Sequence, residues 1–450
     1  MDLNKIKNIH FVGVGGVSMR ALARLCLSFG MLVSGSDLAA FEAVADLKRC
    51  GVHIAACDDV SFIPECDVVV YSAAVPQTNP QLSFARAAHV PTLERKAFLG
   101  FVSKMFGKTL AVAGTHGKTT VTAMICAIFE RAGASFTGHI GGETCAGGSG
   151  LITAGREWFI TEACEYNRSF LTLAPFVSVV LNMQFDHPDC YRDREDMKKA
   201  YDAFVANTCV SGCVVCYRPL LEELAINGRR AVNFGYSRDC DVYPEELDFR
   251  GGKYSFYLCR CGKASSRIEM NIEGKHNVLN ALAACAAAGE CGISDADCAA
   301  ALSRFSGVKG RYEHLGRAAS GARLVYDYAH HPTEIAAAVN TARQTCRGKI
   351  VVIFEPHTFS RTRALMKDFV DALSLADEAI VLPTYKAREE YTPSGSGYDL
   401  YCRLNAYGSV RAKYAPGYKE AAALALSKSG REDIILMLGA GNVRDCADYM

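Results

Sequence analysis

Three times along this chain a short apolar run ends in a turn of small residues and passes into a segment with helical spacing. That alternation limits the fold more than any other feature. Residues 9–14 run into "GVGGVSM", after which Leu22, Leu25, Cys26 and Phe29 share one helical face up to Gly30. "MLVSGSD", ending at Asp37, the segment "FEAVADLKRC" closed by Gly51, and "DVVVYSAAVP" complete a βαβαβ unit. The pattern restarts after Phe106 and Gly107 with "TLAVAG", a glycine loop, and a helix expected from Lys118 to Arg131. Val121, Ile125, Ile128 and Phe129 line its apolar face. "EWFITEA" and "FVSVVLN" read as further strands and "HNVLNALAACAAAG" as a further helix. A third alternation opens near Arg323: "RLVYDY", a helix beginning at Pro332, "IVVIFEP", a helix after Arg361, "EAIVLP" and "DIILMLGAG". Strands alternating with helices call for parallel sheets covered on both faces. The expected fold class is α/β in three domains, over residues 1–106, 107–313 and 314–450.

Ligands in such sheets gather where strands end and loops diverge, so the glycine loops are the first candidates. "AVAGTHGKTTVT", residues 111–122, resembles a phosphate-binding P-loop but is too short by its usual spacing, because Val112 stands where a glycine is expected. Gly114 and Gly117 still allow backbone N–H groups to approach phosphate oxygens, and the following helix start adds partial positive charge. Lys118 would neutralise phosphate charge, with the Thr119 hydroxyl on a divalent ion. Glu162 closes the strand "WFITE" and Asp186-His187 follows "VSVVLNM". A carboxylate and an imidazole at these strand ends suit a cation that bridges phosphates. An ordinary glycine turn remains open on the loop alone.

Composition narrows the partners. At 450 residues with a formal charge of +1, the chain has no excess charge for nucleic acid or for an anionic membrane surface. "MDLNKIKNIHFVGVGG" lacks the shape of a secretory leader, and no apolar stretch nears the roughly 18 residues of a spanning helix. A cytoplasmic protein, acting as a monomer or homodimer, is expected. The 20 cysteines then read as reduced thiols, used as small apolar residues. Cys209, Cys213 and Cys216 have a metal-like spacing, but the last two flank Val214 and Val215 in a short buried strand, which favours packing over ligation.

"GTHGKTT", "TEACEYNRSFL", "NMQFDHPD", "GKHNVLNALAA", "YDYAHHPTEI", "EPHTFSRTR" and "LGAGNV" occur in the order seen in the Mur ligases. By these motifs the whole chain resembles that family, whose P-loop has the short form found here. The resemblance implies a Rossmann-like N-terminal domain holding a UDP-sugar, a central P-loop-type ATPase domain and a Rossmann-like C-terminal domain for the amino acid. It implies an ATP- and Mg²⁺-dependent ligase that adds L-alanine to the carboxylate of UDP-N-acetylmuramate through an acyl phosphate. The alternative within the family is attachment of a recycled tripeptide. By position, Gly13, Gly15, Gly16 and Ser18 would approach the diphosphate, with Asp37 and Ser72 nearer the uridine. Gly114, Thr115, His116, Gly117, Lys118, Thr119 and Thr120 would hold ATP, helped by Asn277, Asn280, Arg311 and Asp327. Lys118, Glu162 and His187 would be catalytic, and Thr119, Glu162 and His187 would serve the metal. Tyr328, His330, His357 and Arg361 would surround the amino acid and acyl group.

Some positions depart from the family pattern. Tyr326 stands where a second aspartate is common, Gly310 replaces the first of an arginine pair, and Glu165 competes with Glu162 for the metal role. Two readings from other classes also stand. "GVGGVSM" with Asp37 is close to a dinucleotide fingerprint, although Ser18 replaces the last glycine and the central loop would go unexplained. A non-catalytic nucleotide-binding regulator would have no need of Lys118, Thr119, Glu162 and His187 together.

Overall fold

The computed structural model of the chain describes residues 5–38, 41–145, 150–387, 389–407 and 410–450. Three sheets organise it. The first has five parallel strands in the spatial order His53–Ile54, Leu32–Ser36, Asn8–Val12, Val68–Tyr71 and Thr92–Glu94. The chain enters at the middle strand and winds outward on both sides, so the loops after Asn8–Val12 and Val68–Tyr71 part at a switch point. Gly13 sits there with φ +80°, a conformation that suits glycine, and its N–H donates to Ser36 O at 2.8 Å.

The central sheet has ten strands. Its middle pairs Lys108–Ala113 with Val177–Val180 on one side and Trp158–Glu162 on the other, all parallel. The helices Lys118–Arg131 and His276–Glu290 cover one face, and Arg194–Ala206 covers the opposite face. Lys118–Arg131 has the bounds that its apolar spacing predicts.

Antiparallel additions are where the structure goes beyond that reading. Val242–Arg250, Lys253–Arg260 and Lys263–Glu269 form a meander on one edge, and Leu151–Thr153 pairs antiparallel with Phe136–His139 on the other. The first hairpin turns at Gly251-Gly252, both at positive φ (+59° and +87°), with Arg250 opposite Lys253. Two glycines between alternating residues are a hairpin signal that "DFRGGKYSF" carries openly. The third sheet runs in the order Glu313–Arg317, Arg323–Asp327, Ile434–Leu438, Ile350–Phe354, Glu378–Val381 and Arg411–Tyr414. Only its first pair is antiparallel.

The first two sheets share a core. Phe11 and Phe98 belong to the same buried cluster as Phe159 and Tyr201, and Phe106 stacks on Phe159 at 4.8 Å. Truncating Phe159 to alanine would cost about 3–5 kcal/mol and loosen both regions at once. The third sheet closes its own clusters on its two faces. Cys213 faces the core on one side of the central sheet and Cys216 the core on the other, so alternation along the strand keeps the two thiols apart. No helix among the described residues is long and apolar enough to cross a membrane.

Candidate active site

The loop at residues 114–117 leaves the strand Lys108–Ala113 at the centre of its sheet. Gly114 (φ +149°) and Gly117 (φ +83°) adopt conformations that disfavour side chains. A Cβ on Gly117 would lie 2.8 Å from Asn280 Oδ1, so this glycine is required by space as well as by φ. The loop is pinned from the next strand end. Asn182 accepts from the His116 N–H at 2.8 Å and donates to His116 O at 3.0 Å, and Thr115 Oγ1 exchanges two hydrogen bonds with the Gln184 backbone. Thr119 and Thr120 are buried in the first helical turn.

Lys118 folds back over this loop. Its Nζ donates to Gly114 O, to Thr115 O at 3.1 Å, and to Glu165 Oε2 at 2.9 Å. Burial works against the ammonium, but Glu165 outweighs it and raises the Lys118 pKa. Glu165 is 1% exposed. Burial alone would raise its pKa, yet Lys118 and His187 hold it below the ordinary value. His187 Nε2 lies 3.6 Å from Glu165 Oε1. Glu165 is therefore the carboxylate placed between Lys118 and His187. Glu162, at the strand end, accepts from the Gly141 N–H at 2.6 Å instead. The sequence names both acids, but only the fold separates a strand-end carboxylate from one carried inward by the next turn.

His187 itself has φ +56°, unusual for a side-chain-bearing residue, and the turn is held by Asp186, which accepts from the His187 N–H at 2.7 Å. Asp186 also takes a forked contact from Arg361, with Nε at 2.7 Å and Nη2 at 3.3 Å. Both side chains are about 5% exposed or less. Asp186 is held well below the usual carboxylate range because His187 and Arg361 overcome its burial. This pair ties the central and C-terminal regions together. Beside it, a cavity of about 290 Å³ is lined by Tyr166, His187, Asp189, His357 and Arg361. Arg361 Nη1 donates to His357 Nδ1 at 3.1 Å, and His357 stacks on Tyr385 at 5.6 Å. Burial lowers the pKa of His357 to about 4 and of His330 to about 3, so both rings are neutral near pH 7. His330 and Tyr328 stand edge to face at 5.3 Å.

A second cavity, about 790 Å³, opens on the far side of the loop. Gly117, Thr119, Asn277, Asn280, Arg311 and Asp327 all line it. Tyr217, Phe234, Ile272 and Leu279 supply apolar walls that no motif marks. Asn280 Nδ2 donates to Asn277 Oδ1 at 2.9 Å, and Asn277 Nδ2 donates to Glu273 O at 2.6 Å. Asp327 accepts from the Tyr312 and Ala329 N–H groups, each at 2.8 Å. Burial, opposed by Arg311, moves its pKa up to about 6. Arg311 lies over the Tyr328 ring at 4.9 Å.

Gly310 and Tyr326 prove to be a packing pair. Gly310 has φ +71°, and a Cβ there would come 3.3 Å from Tyr326 Cε1. The two departures from the family pattern thus accommodate each other. Glu334, which sequence reasoning missed, joins the P-loop to the C-terminal region. It contacts His116 Nδ1 at 3.1 Å and accepts from the His330 and His331 N–H groups at 3.0 and 3.2 Å. Its signal was the "HPTE" start of the helix Pro332–Thr345, a capping box.

At the first sheet, Asp37 Oδ2 accepts from the Gly15 N–H at 2.6 Å, and the Ser72 N–H donates to Val12 O at 3.1 Å. A Cβ on Gly13 would meet Ser72 Cβ at 3.2 Å, so Gly13, Gly15, Gly16, Asp37 and Ser72 do converge at the switch point. Ser18 lies in the first turn of the helix Val17–Ser28 and faces the central sheet.

Residues 8–106 match the catalytic-domain model of the Mur ligase family, residues 112–288 its middle domain, and residues 310–441 its glutamate ligase domain. The chain is 34% identical over 448 residues to the UDP-N-acetylmuramate–L-alanine ligase of Agathobacter rectalis, covering 98% of this chain and 97% of that one. It is 35% identical over 441 residues to the enzyme of the same name from Clostridium acetobutylicum, covering 97% and 96%. Among solved structures, UDP-N-acetylmuramate–alanine ligase from Thermotoga maritima superposes with a TM-score of 0.80 at 27% identity, covering 98% and 97%. A murein peptide ligase from Psychrobacter arcticus shares the fold, at 0.74 and 21% identity, covering 98% and 97%.

Proposed function

The chain belongs to the Mur ligase family, and on that premise we propose that it is an ATP-dependent ligase joining L-alanine to the carboxylate of UDP-N-acetylmuramate. The products are ADP, phosphate and the amide, an early step of peptidoglycan synthesis, carried out in the cytoplasm. The observation that carries the site assignment is a shared residue. His187 lines the cavity with His357 and Arg361, and it also touches Glu165, which holds Lys118. A phosphate site and an acyl site that meet at one side chain are what phosphoryl transfer to a carboxylate requires.

A carboxylate is a poor electrophile, so it must first be activated. The sugar carboxylate attacks the γ-phosphoryl group, giving an acyl phosphate, and the alanine amine then attacks that carbonyl and expels phosphate. Charge on the transferring group is the main burden. Lys118 and the N–H groups at the start of Lys118–Arg131 would bear it, and the raised Lys118 pKa keeps the ammonium charged throughout neutral pH. Arg361, fixed by Asp186, and the neutral His330 and His357 would orient the amino acid. Asn277, Asn280, Arg311 and Asp327 would hold the nucleoside end.

The residues present fit Mg²⁺. Glu165, Glu162 and the Thr119 hydroxyl are hard oxygen donors at the loop mouth, with His187 beside them. Among the described residues no three acidic, histidine or cysteine side chains close on one point. A partial donor set suits a cation that takes its other ligands from phosphates and water. When bound, it would supply added charge stabilisation to the β and γ phosphates. The first region would anchor the UDP moiety through Gly13, Gly15, Gly16, Asp37 and Ser72, with functional boundaries near residues 106 and 314.

Phosphate release from Mg-ATP tests this reading, with UDP-N-acetylmuramate present and L-alanine added or withheld. Release that needs both supports it. Release with a recycled tripeptide in place of L-alanine would move the chain to the peptide-recycling branch, and no release with either would overturn it.

A further inference from the structure

The helix Val17–Ser28, which follows the first glycine loop, turns a hydroxyl away from that loop and toward the central sheet. Ser18 Oγ lies 3.0 Å from His139 Nε2, and His139 Nδ1 lies 3.0 Å from Thr161 Oγ1. His139 and Thr161 are cross-strand partners on Phe136–His139 and Trp158–Glu162. His139 is 3% exposed and Thr161 is fully buried. Such a histidine is an odd choice for a strand end whose neighbours are core residues, since burying a ring with two polar atoms is costly unless both are used.

One donor in this chain admits no choice. Arg95 Nη1 can only donate, and it reaches Ser18 Oγ at 3.3 Å. Thr161 Oγ1 lies 3.2 Å from Glu162 O, and a hydroxyl that donates there accepts toward His139. In that arrangement the proton sits on His139 Nδ1 and Nε2 accepts from the Ser18 hydroxyl. Burial, reinforced by Arg95, lowers the His139 pKa to about 4, which keeps the ring neutral and Nε2 free to accept. The Ser18 hydroxyl proton is thereby committed inward, and its oxygen faces Arg95.

Arg95 is the unbalanced member of this chain. Among the described residues no carboxylate makes an ion pair with it, and it stands beside the first turn of Val17–Ser28, the positive end of that helix. A guanidinium held against a helix N-terminus at the end of a glycine loop is a site that an anion completes. We propose that His139 is a positioning residue for the sugar-nucleotide diphosphate: it accepts a hydrogen bond from the Ser18 hydroxyl, so that Ser18 holds Arg95 at the glycine loop and the guanidinium meets the phosphates. This rests on the reading of the first region as the UDP-sugar site. It also changes the role of Ser18, from a diphosphate donor to a support for one.

Calorimetry with UDP-N-acetylmuramate on the full-length wild type, His139→Leu, His139→Gln, Ser18→Ala and the His139→Leu/Ser18→Ala double variant tests it, with ADP titrated into each as a control. His139→Leu should raise the sugar-nucleotide Kd at least tenfold and leave the ADP Kd within twofold. His139→Gln, whose amide oxygen can still accept from Ser18, should stay within threefold of wild type. The double variant should be no weaker than the worse single one, because the two residues act in series. Unchanged sugar-nucleotide affinity in His139→Leu would overturn the proposal, as would equal loss of both ligands in His139→Leu and His139→Gln, which marks a structural role only. If wild type binds ADP but not the sugar nucleotide, the reading of the first region fails, and the proposal with it.

Discussion

The glycine loops at residues 13–16 and 114–117 are built alike and charged differently. Each leaves a central parallel strand and opens a helix, and the first carries one glycine at positive φ (Gly13) where the second carries two (Gly114 and Gly117). In the first, a carboxylate fills the turn: Asp37 accepts from the Gly15 N–H at 2.6 Å. In the second, a lysine does, with Glu165 as counter-charge at 2.9 Å. An acid at that place suits ribose hydroxyls, while a cation suits a phosphoryl group whose charge changes during reaction. The backbone device makes both loops anion sites, and the side chain at the turn decides whether the anion is anchored or transformed.

The sharpest way to break that contrast is to remove the lysine. Lys118→Ala should cost about a thousandfold or more in phosphate release, because a preorganised charge on the transferring group is lost. Its affinity for UDP-N-acetylmuramate should stay within about twofold of wild type if the contrast between the loops holds. Loss of sugar-nucleotide binding in this variant, measured by calorimetry, would mean that the loops do not divide the work.

Next in size is the junction that brings the acyl pocket to the loop. Arg361→Met strands the buried Asp186 carboxylate, and losing one partner of such a pair costs about 3–5 kcal/mol by urea denaturation. The wild-type pair also sets an acid limit. The folded Asp186 pKa is depressed, so its stabilisation is full above the ordinary carboxylate value and disappears as pH falls through the folded one. Arg361→Met should show a smaller acid-side decline, with His187 retaining part of it. A parallel decline in both proteins would assign it to His187 or to other carboxylates.

The smallest effect sharpens the nucleotide side of the comparison. Asp327 titrates near 6 in the folded chain, above its ordinary 3.8, because it is buried. A raised carboxylate stabilises fully below 3.8 and loses that contribution as pH rises through about 6. Asp327→Asn should therefore show a smaller fall in unfolding free energy between pH 5 and pH 7.5 than wild type, by urea denaturation. The difference should be at most about 2 kcal/mol, since one pKa unit is worth about 1.4. Equal falls would remove Asp327 as the cause.

Much of this was legible in the residues, for identifiable reasons. The helix Lys118–Arg131 announced both ends, through Gly117 before it and Arg131-Ala132-Gly133 after it, and its apolar spacing matched its buried face. The Gly251-Gly252 hairpin was equally readable but was masked by the expectation of parallel strands. Three other features depend on contacts between distant segments, which no local pattern encodes. Glu165 reaches Lys118 across 47 positions, Asp186 meets Arg361 across 175, and Ser18 meets His139 across 121. The apolar walls Tyr217, Phe234 and Ile272 look like any core residues until the fold leaves a cavity in front of them.

The crossed titration of Gly15→Ala and Gly117→Ala tests the central claim most directly. A Cβ at position 15 would press on Asp37 Oδ2 at 2.9 Å, and one at position 117 on Asn280 Oδ1 at 2.8 Å, with added strain at position 117 from its φ of +83°. Gly15→Ala should weaken UDP-N-acetylmuramate and spare ADP, and Gly117→Ala should do the reverse. If both ligands weaken together in either variant, or neither shows its own loss, the two loops are not separate anion sites and the account is wrong.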